Sequence, residues 1–149
     1  MLKKHIKKFL LGILLIIIIA IAAWLIFFQN NNPTHNACVI ANSDSSILVY
    51  VNPDKDIIEG GLYYVPTNDV KFISHDDSIK SAKDISPGTM IKISLLNNLI
   101  QPTYPASFTE VKSIETLGKN NNELYEKGLA DKEKLESEVE SILNSVNSN

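Results

Sequence analysis

The side chains best suited to nucleophilic or metal chemistry in this 149-residue chain are one cysteine, Cys38, and three histidines, His5, His35 and His75. A thiol nucleophile needs a base beside it, and a metal needs several donors converging at set spacings. Cys38 has no neighbouring base in sequence, and a single cysteine cannot close an internal disulfide. It reads as a buried structural thiol. His75-Asp76-Asp77 offers three donors in a row, yet adjacent residues point in different directions and no second cluster lies at helical or hairpin spacing. A solvated loop is the simpler reading. Gly60-Gly61 lacks the spacing and the lysine of a phosphate-cradling loop. The expectation is a protein without catalytic residues, metal or cofactor, and so not an enzyme.

Binding chemistry rests on tyrosine. Tyr50, Tyr63 and Tyr64 lie inside strand-like runs, where alternation sends some rings to the core. Tyr104 differs, because Pro102 and Pro105 bracket it and remove two backbone donors. Residues 101–106 should therefore form a stiff, extended crossing that holds Thr103, Tyr104 and Pro105 in place. These three are the candidate binding residues. Tyr104 has two roles open to it: a plug closing one end of a small barrel, or a platform on which a sugar or peptide stacks.

The elements that must position these residues are mostly short strands. Cys38 to Ala41, Ile47 to Val51, Leu62 to Val65, Val70 to Ile73 and Met90 to Leu95 are apolar or alternating runs separated by turn residues. In the last of them Ile91, Ile93 and Leu95 share one face. Ser86-Pro87-Gly88 ahead of it suits a type II turn, and a helical turn is expected near Ser78 to Lys83. Ile100 resumes the strand path and Phe108 to Thr116 supplies the last strand. Five or six strands in residues 37–118 predict a mainly β fold, a small OB-like antiparallel β-barrel.

The N-terminal part has a different character. Residues 9–28 carry no charge and read as a retained transmembrane helix, long enough to cross roughly 30 Å of hydrocarbon. Lys3, Lys4, Lys7 and Lys8 precede this run, so residues 1–8 are expected as a cytoplasmic basic tail. The predicted protein is a single-pass, signal-anchored membrane protein whose domain lies on the outer face, tethered by a linker at 29–36. The portion after the apolar run holds ten lysines and all 17 acidic residues, a balance that repels nucleic acid. The expected partners are the membrane and a membrane or extracytoplasmic protein.

The strand reading ILVYV, then ISPGTMIKIS, then NNLIQPTYPASFTEVKSI resembles the DUF3221 family, small exported or lipid-anchored proteins of Gram-positive bacteria. Pro87-Gly88 corresponds to that family's glycine turn, and Thr103-Tyr104-Pro105-Ala106 to its Ser-Tyr-Pro segment, with threonine in place of serine. The resemblance implies an OB-like barrel over residues 37–118 and no established activity. Residues 119–149 form a C-terminal helical extension that resembles, weakly, the SHOCT module. Asn122 is expected to cap a first short helix with a Glu123–Lys127 pair, Gly128 to end it, and Asp131 to cap a second. Leu135, Val139, Ile142 and Val146 then form one apolar stripe, which either docks on the barrel or binds a partner. The functional expectation is an extracytoplasmic binding module without catalysis; the alternative is an assembly or regulatory subunit of a larger membrane complex, reached through its helices.

Overall fold

The computed structural model describes residues 2–29, 32–53, 60–74, 78–97 and 99–147, with side chains in the first helix described from 12 to 25. The chain divides into two compact units, Met1–Asn32 and Pro33–Asn149. The first unit is the helix α1 (Leu2–Gln29). Its described side chains, such as Leu15, Ile16 and Trp24, are exposed. Among the described residues, no helix is long and apolar enough to cross a membrane. This corrects the expected transmembrane span at 9–28, and with it the single-pass, signal-anchor topology and the outer-face location.

The second unit is one sheet followed by one helix. Its strands are β1 (Thr34–Asn42), β2 (Ser46–Val51), β3 (Gly61–Pro66), β4 (Lys71–Ile73), β5 (Thr89–Leu95), β6 (Ile100–Gln101), β7 (Ala106–Phe108) and β8 (Val111–Asn120), and α2 (Asn122–Asn147) closes the chain. Their order across the sheet is β4-β8-β5-β1-β2-β3-β7-β6. β3 pairs with β7, and β4 with β8, in parallel; the other pairs are antiparallel. Among the described residues the fold is thus a mixed eight-stranded sheet with two helices, which corrects the expected small OB-like antiparallel barrel. Alternating apolar residues reveal that a segment is a strand, but they do not name its neighbour, and both parallel pairs join strands far apart in sequence.

Local chemistry explains where the strands start and stop. The turn before β5 has Gly88 at φ 87°, with the Thr89 amide donating to the Ser86 carbonyl at 3.2 Å, as a type II turn requires. A single 3-10 turn, Ala82–Asp84, stands in the expected helical region. Asp84 Oδ2 accepts from the Lys80 amide at 3.0 Å and from the Ser81 amide at 2.8 Å. The Asn42 side-chain amide donates to the Ile85 carbonyl at 2.6 Å and to that of Ala82 at 3.1 Å, tying the end of β1 to this turn. Thr34 to Asn36, expected within the linker, are the first residues of β1 and pair with Lys92 to Ser94 of β5.

Each face of the sheet has its own core. One holds Val39, Ile47, Val49, Ile91, Ile93 and Phe108 in a cluster that also takes in Ile114 of β8 and Phe72 of β4. Residues from both ends of the strand order meet in that cluster, so the sheet must curl around it, and Ala82 and Ile85 help fill the concavity. The other face carries Cys38, Ile40, Leu48, Leu62 and Met90 and is covered by Leu124, Tyr125 and Leu129 of α2.

Candidate functional site

Thr103, Tyr104 and Pro105 do not form an extended crossing. β6 and β7 are antiparallel partners, with Gln101 opposite Ser107, so residues 102–105 are the loop of a hairpin at the edge of the sheet. Thr103 closes that loop: its amide donates to the Gln101 carbonyl and its hydroxyl to the Pro105 carbonyl, each at 2.8 Å. Pro105, joined to Tyr104 by a cis peptide bond, is buried. Tyr104 itself is 68% exposed and plugs nothing. Tyr104→Ala should therefore change stability by less than about 0.5 kcal/mol, as surface substitutions do. A loss near 3 kcal/mol in chemical denaturation would mean that the ring is packed.

Cys38 and His35 do not meet. Three residues apart on β1, they fall on opposite faces. His35 is buried and stacks on Phe108 with ring centroids 5.9 Å apart, whereas Cys38 packs with Met90 and Leu124. Burial pushes the Cys38 thiol up from its ordinary pKa, the opposite of what a nucleophilic thiolate needs. Its Sγ lies 3.7 Å from the Asn121 carbonyl, which ties the start of α2 to β1. A depression of about 620 Å³ near His35 is walled by Thr34, Val51, Met90 and Lys92, and Cys38 is not among its lining residues. His75-Asp76-Asp77 lies outside the described residues. Among the described residues, no group of three or more His, Cys, Asp or Glu side chains could hold a metal ion.

The place of His35 escaped a reading that took the polar run before Cys38 as linker. Alternation of His35, Ala37 and Val39 is the sequence signal that would have carried β1 back to it.

The C-terminal helix supplies the surface of greatest interest. Its cap is Asn121, not Asn122, with Oδ1 accepting the Leu124 amide at 3.1 Å. Glu123 and Lys127 pair at 2.8 Å, which lowers the carboxyl pKa and raises that of the ammonium. Helix α2 then runs unbroken through Gly128, correcting the expected stop there and the second cap at Asp131. Gly128 is helical because it is the point of closest approach to the sheet. A Cβ at that position would lie 2.7 Å from Ile40 Cγ1 and 3.0 Å from Tyr50 Cβ.

Docking ends about two turns later. Leu124 and Gly128 are buried and Leu129 and Leu135 half-buried, but from Glu136 to Asn147 every residue is exposed. Of the expected stripe only Leu135 is half-buried; Val139 is 47%, Ile142 62% and Val146 66% exposed, and Leu143 beside them 57%. Where α2 leaves the sheet, Leu48 and Tyr64 on one side and Leu135, Val139 and Leu143 on the other wall a groove of about 300 Å³. Glu136 and Glu140 stand along it, with Lys132 at its inner end. The groove and the free turns beyond it form one continuous apolar track with an acidic margin, suited to receiving an apolar surface and not to moving protons or electrons.

The chain matches no protein-family model, no curated protein and no solved structure.

Proposed function

We propose that this chain is a non-catalytic interaction module, an assembly or regulatory subunit that engages another protein through the distal half of α2. One observation carries the reading: Val139, Ile142, Leu143 and Val146 expose apolar side chains on a helix whose first half is firmly docked. A helix with one apolar stripe gains little from leaving it in water, since each such side chain contributes about 1.5–3 kcal/mol when fully buried. Tyr104 is a second binding element in this proposal, presented at the tip of a hairpin that Thr103 and Pro105 brace. We further propose kinship with the DUF3221 family on the strength of Pro87-Gly88 and Thr103-Tyr104-Pro105-Ala106. That kinship carries no activity with it.

The test is site-specific cross-linking in the native host. A photoreactive phenylalanine analogue at Ile142 or Val146 should give one discrete adduct with another protein, lost when Val139 is changed to Ser. The same group at Glu126, which is exposed on the docked part of α2, should give none. No adduct at 142 and 146, or equal adducts at all three positions, would remove the proposal.

A further inference from the structure

We infer that the partner received by the α2 groove and the exposed turns beside it is a basic amphipathic helix, one that lays an apolar stripe along Leu135 and Val139 of the groove and the exposed Ile142 and Val146, and sets lysine or arginine against the acidic margin. The inference rests on the interaction reading above and deepens it by naming the partner's chemistry.

Charge is the first argument. Between Asp131 and Asn147 the helix carries five acidic residues and two lysines, a net −3 on less than five turns. Lys132 and Lys134 are engaged with Glu136 at 3.5 Å and with Glu138 at 4.0 Å. Both lysines belong to the inner end; beyond Lys134 there is no basic residue on the helix. Glu140, on the groove wall beside Val139 and Leu143, makes no ion pair among the described residues. A partner with the same sign of charge along its flanks would meet like charges across a desolvated seam, which is costly, whereas a basic one is both steered and held.

Geometry is the second. The spacing 135, 139, 142, 146 is the four-three-four interval of a helix-to-helix seam, about 16 Å long at 1.5 Å per residue. A helix of three or four turns matches that length. Leu48 and Tyr64, across the groove from Leu135, Val139 and Leu143, give a partner helix a side wall to contact as well. Self-pairing is disfavoured on the same facts. Two copies would bring the Glu138 and Glu140 margins of both helices together, like charge against like charge.

The experiment uses the full chain and two synthetic 16-residue peptides with the same Leu stripe at seam spacing, one with Lys and one with Glu at every flanking position. Fluorescence anisotropy should show the Lys peptide binding at least tenfold more tightly than the Glu peptide, with the difference shrinking as salt rises. E136Q together with E140Q should remove most of that difference while leaving the far-UV spectrum unchanged, because both side chains are exposed. Equal affinity for the two peptides, or binding of neither, would overturn the inference. So would a concentration-dependent dimer in sedimentation that V139S abolishes, since a second copy would then be the occupant. If the peptides fail but the cross-link at Ile142 persists, only the partner's chemistry is wrong. Loss of the cross-link as well removes the interaction reading itself.

Discussion

Phe108→Ala should cost the sheet unit about 3–5 kcal/mol, the range for removing a fully buried aromatic side chain. Phe108 is 1% exposed although β7 is only three residues long. Its ring stacks on Tyr63 at 5.2 Å and on His35 at 5.9 Å, so one side chain joins β7 to β3 and to the first turn of β1. Nothing in the backbone of so short a strand compensates for the loss: β7 makes two parallel register pairs with β3 and two antiparallel pairs with β6. The cavity left by the ring would open beside His35, and the β6–β7 hairpin would detach with it. Urea denaturation followed by the near-ultraviolet tyrosine signal measures this, because Tyr63 reports on the same stack. A cost below about 1 kcal/mol would show that the hairpin is not part of the core. Phe108→Leu, which keeps most of the volume, should retain most of the stability.

Gly128→Leu should undock the first half of α2 and destabilise the domain by roughly 3 kcal/mol, combining overpacking with lost apolar cover. The space for a side chain is occupied by Ile40, 3% exposed and held between β1 and the helix, and by the Cβ of Tyr50. A helix forced outward uncovers Leu124, which packs with Cys38 and Met90, and Leu129, which covers the cluster of Ile40, Leu48 and Leu62. Gly128→Ala is the subtler case. Alanine gains about 1 kcal/mol of helix propensity over glycine, against an overpacking cost of about 1–3 kcal/mol. The net effect is destabilising but small, and it should reverse to a gain of up to about 1 kcal/mol in an Ile40→Ala background, where the obstructing side chain is gone. That non-additivity is the decisive measurement, since a glycine needed only for a helix end would give additive effects.

The two substitutions mark how far the chain can be read locally. Strand positions are legible because each depends on its own residues: alternation at Ile91, Ile93 and Leu95, the β-branched run of β2, and proline and glycine at 87 and 88. The Glu123–Lys127 pair and the helical tail are legible for the same reason, an i, i+4 spacing acting within one turn. Thr103, Tyr104 and Pro105, the candidate binding residues, are legible as a bracketed, non-strand segment, but not as a hairpin loop, because that depends on the β6–β7 pairing.

What tertiary structure alone decided are the pairings and the uses made of them. The parallel contacts of β3 with β7 and β4 with β8 place residues some forty positions apart side by side, and no period in either strand encodes that. His35 looked like linker until β5 supplied its partner strand and Phe108 its stacking surface. Gly128 has the composition of a helix end, yet it is a helix interior, because the sheet beneath it rewards close approach more than local propensity penalises glycine. The tail stripe is equally apolar at Leu135 and at Val146, so its sequence could not say which residues dock. After Leu135 a groove separates the helix from Leu48 and Tyr64 of the sheet, and burial, which needs a surface on both sides, stops there.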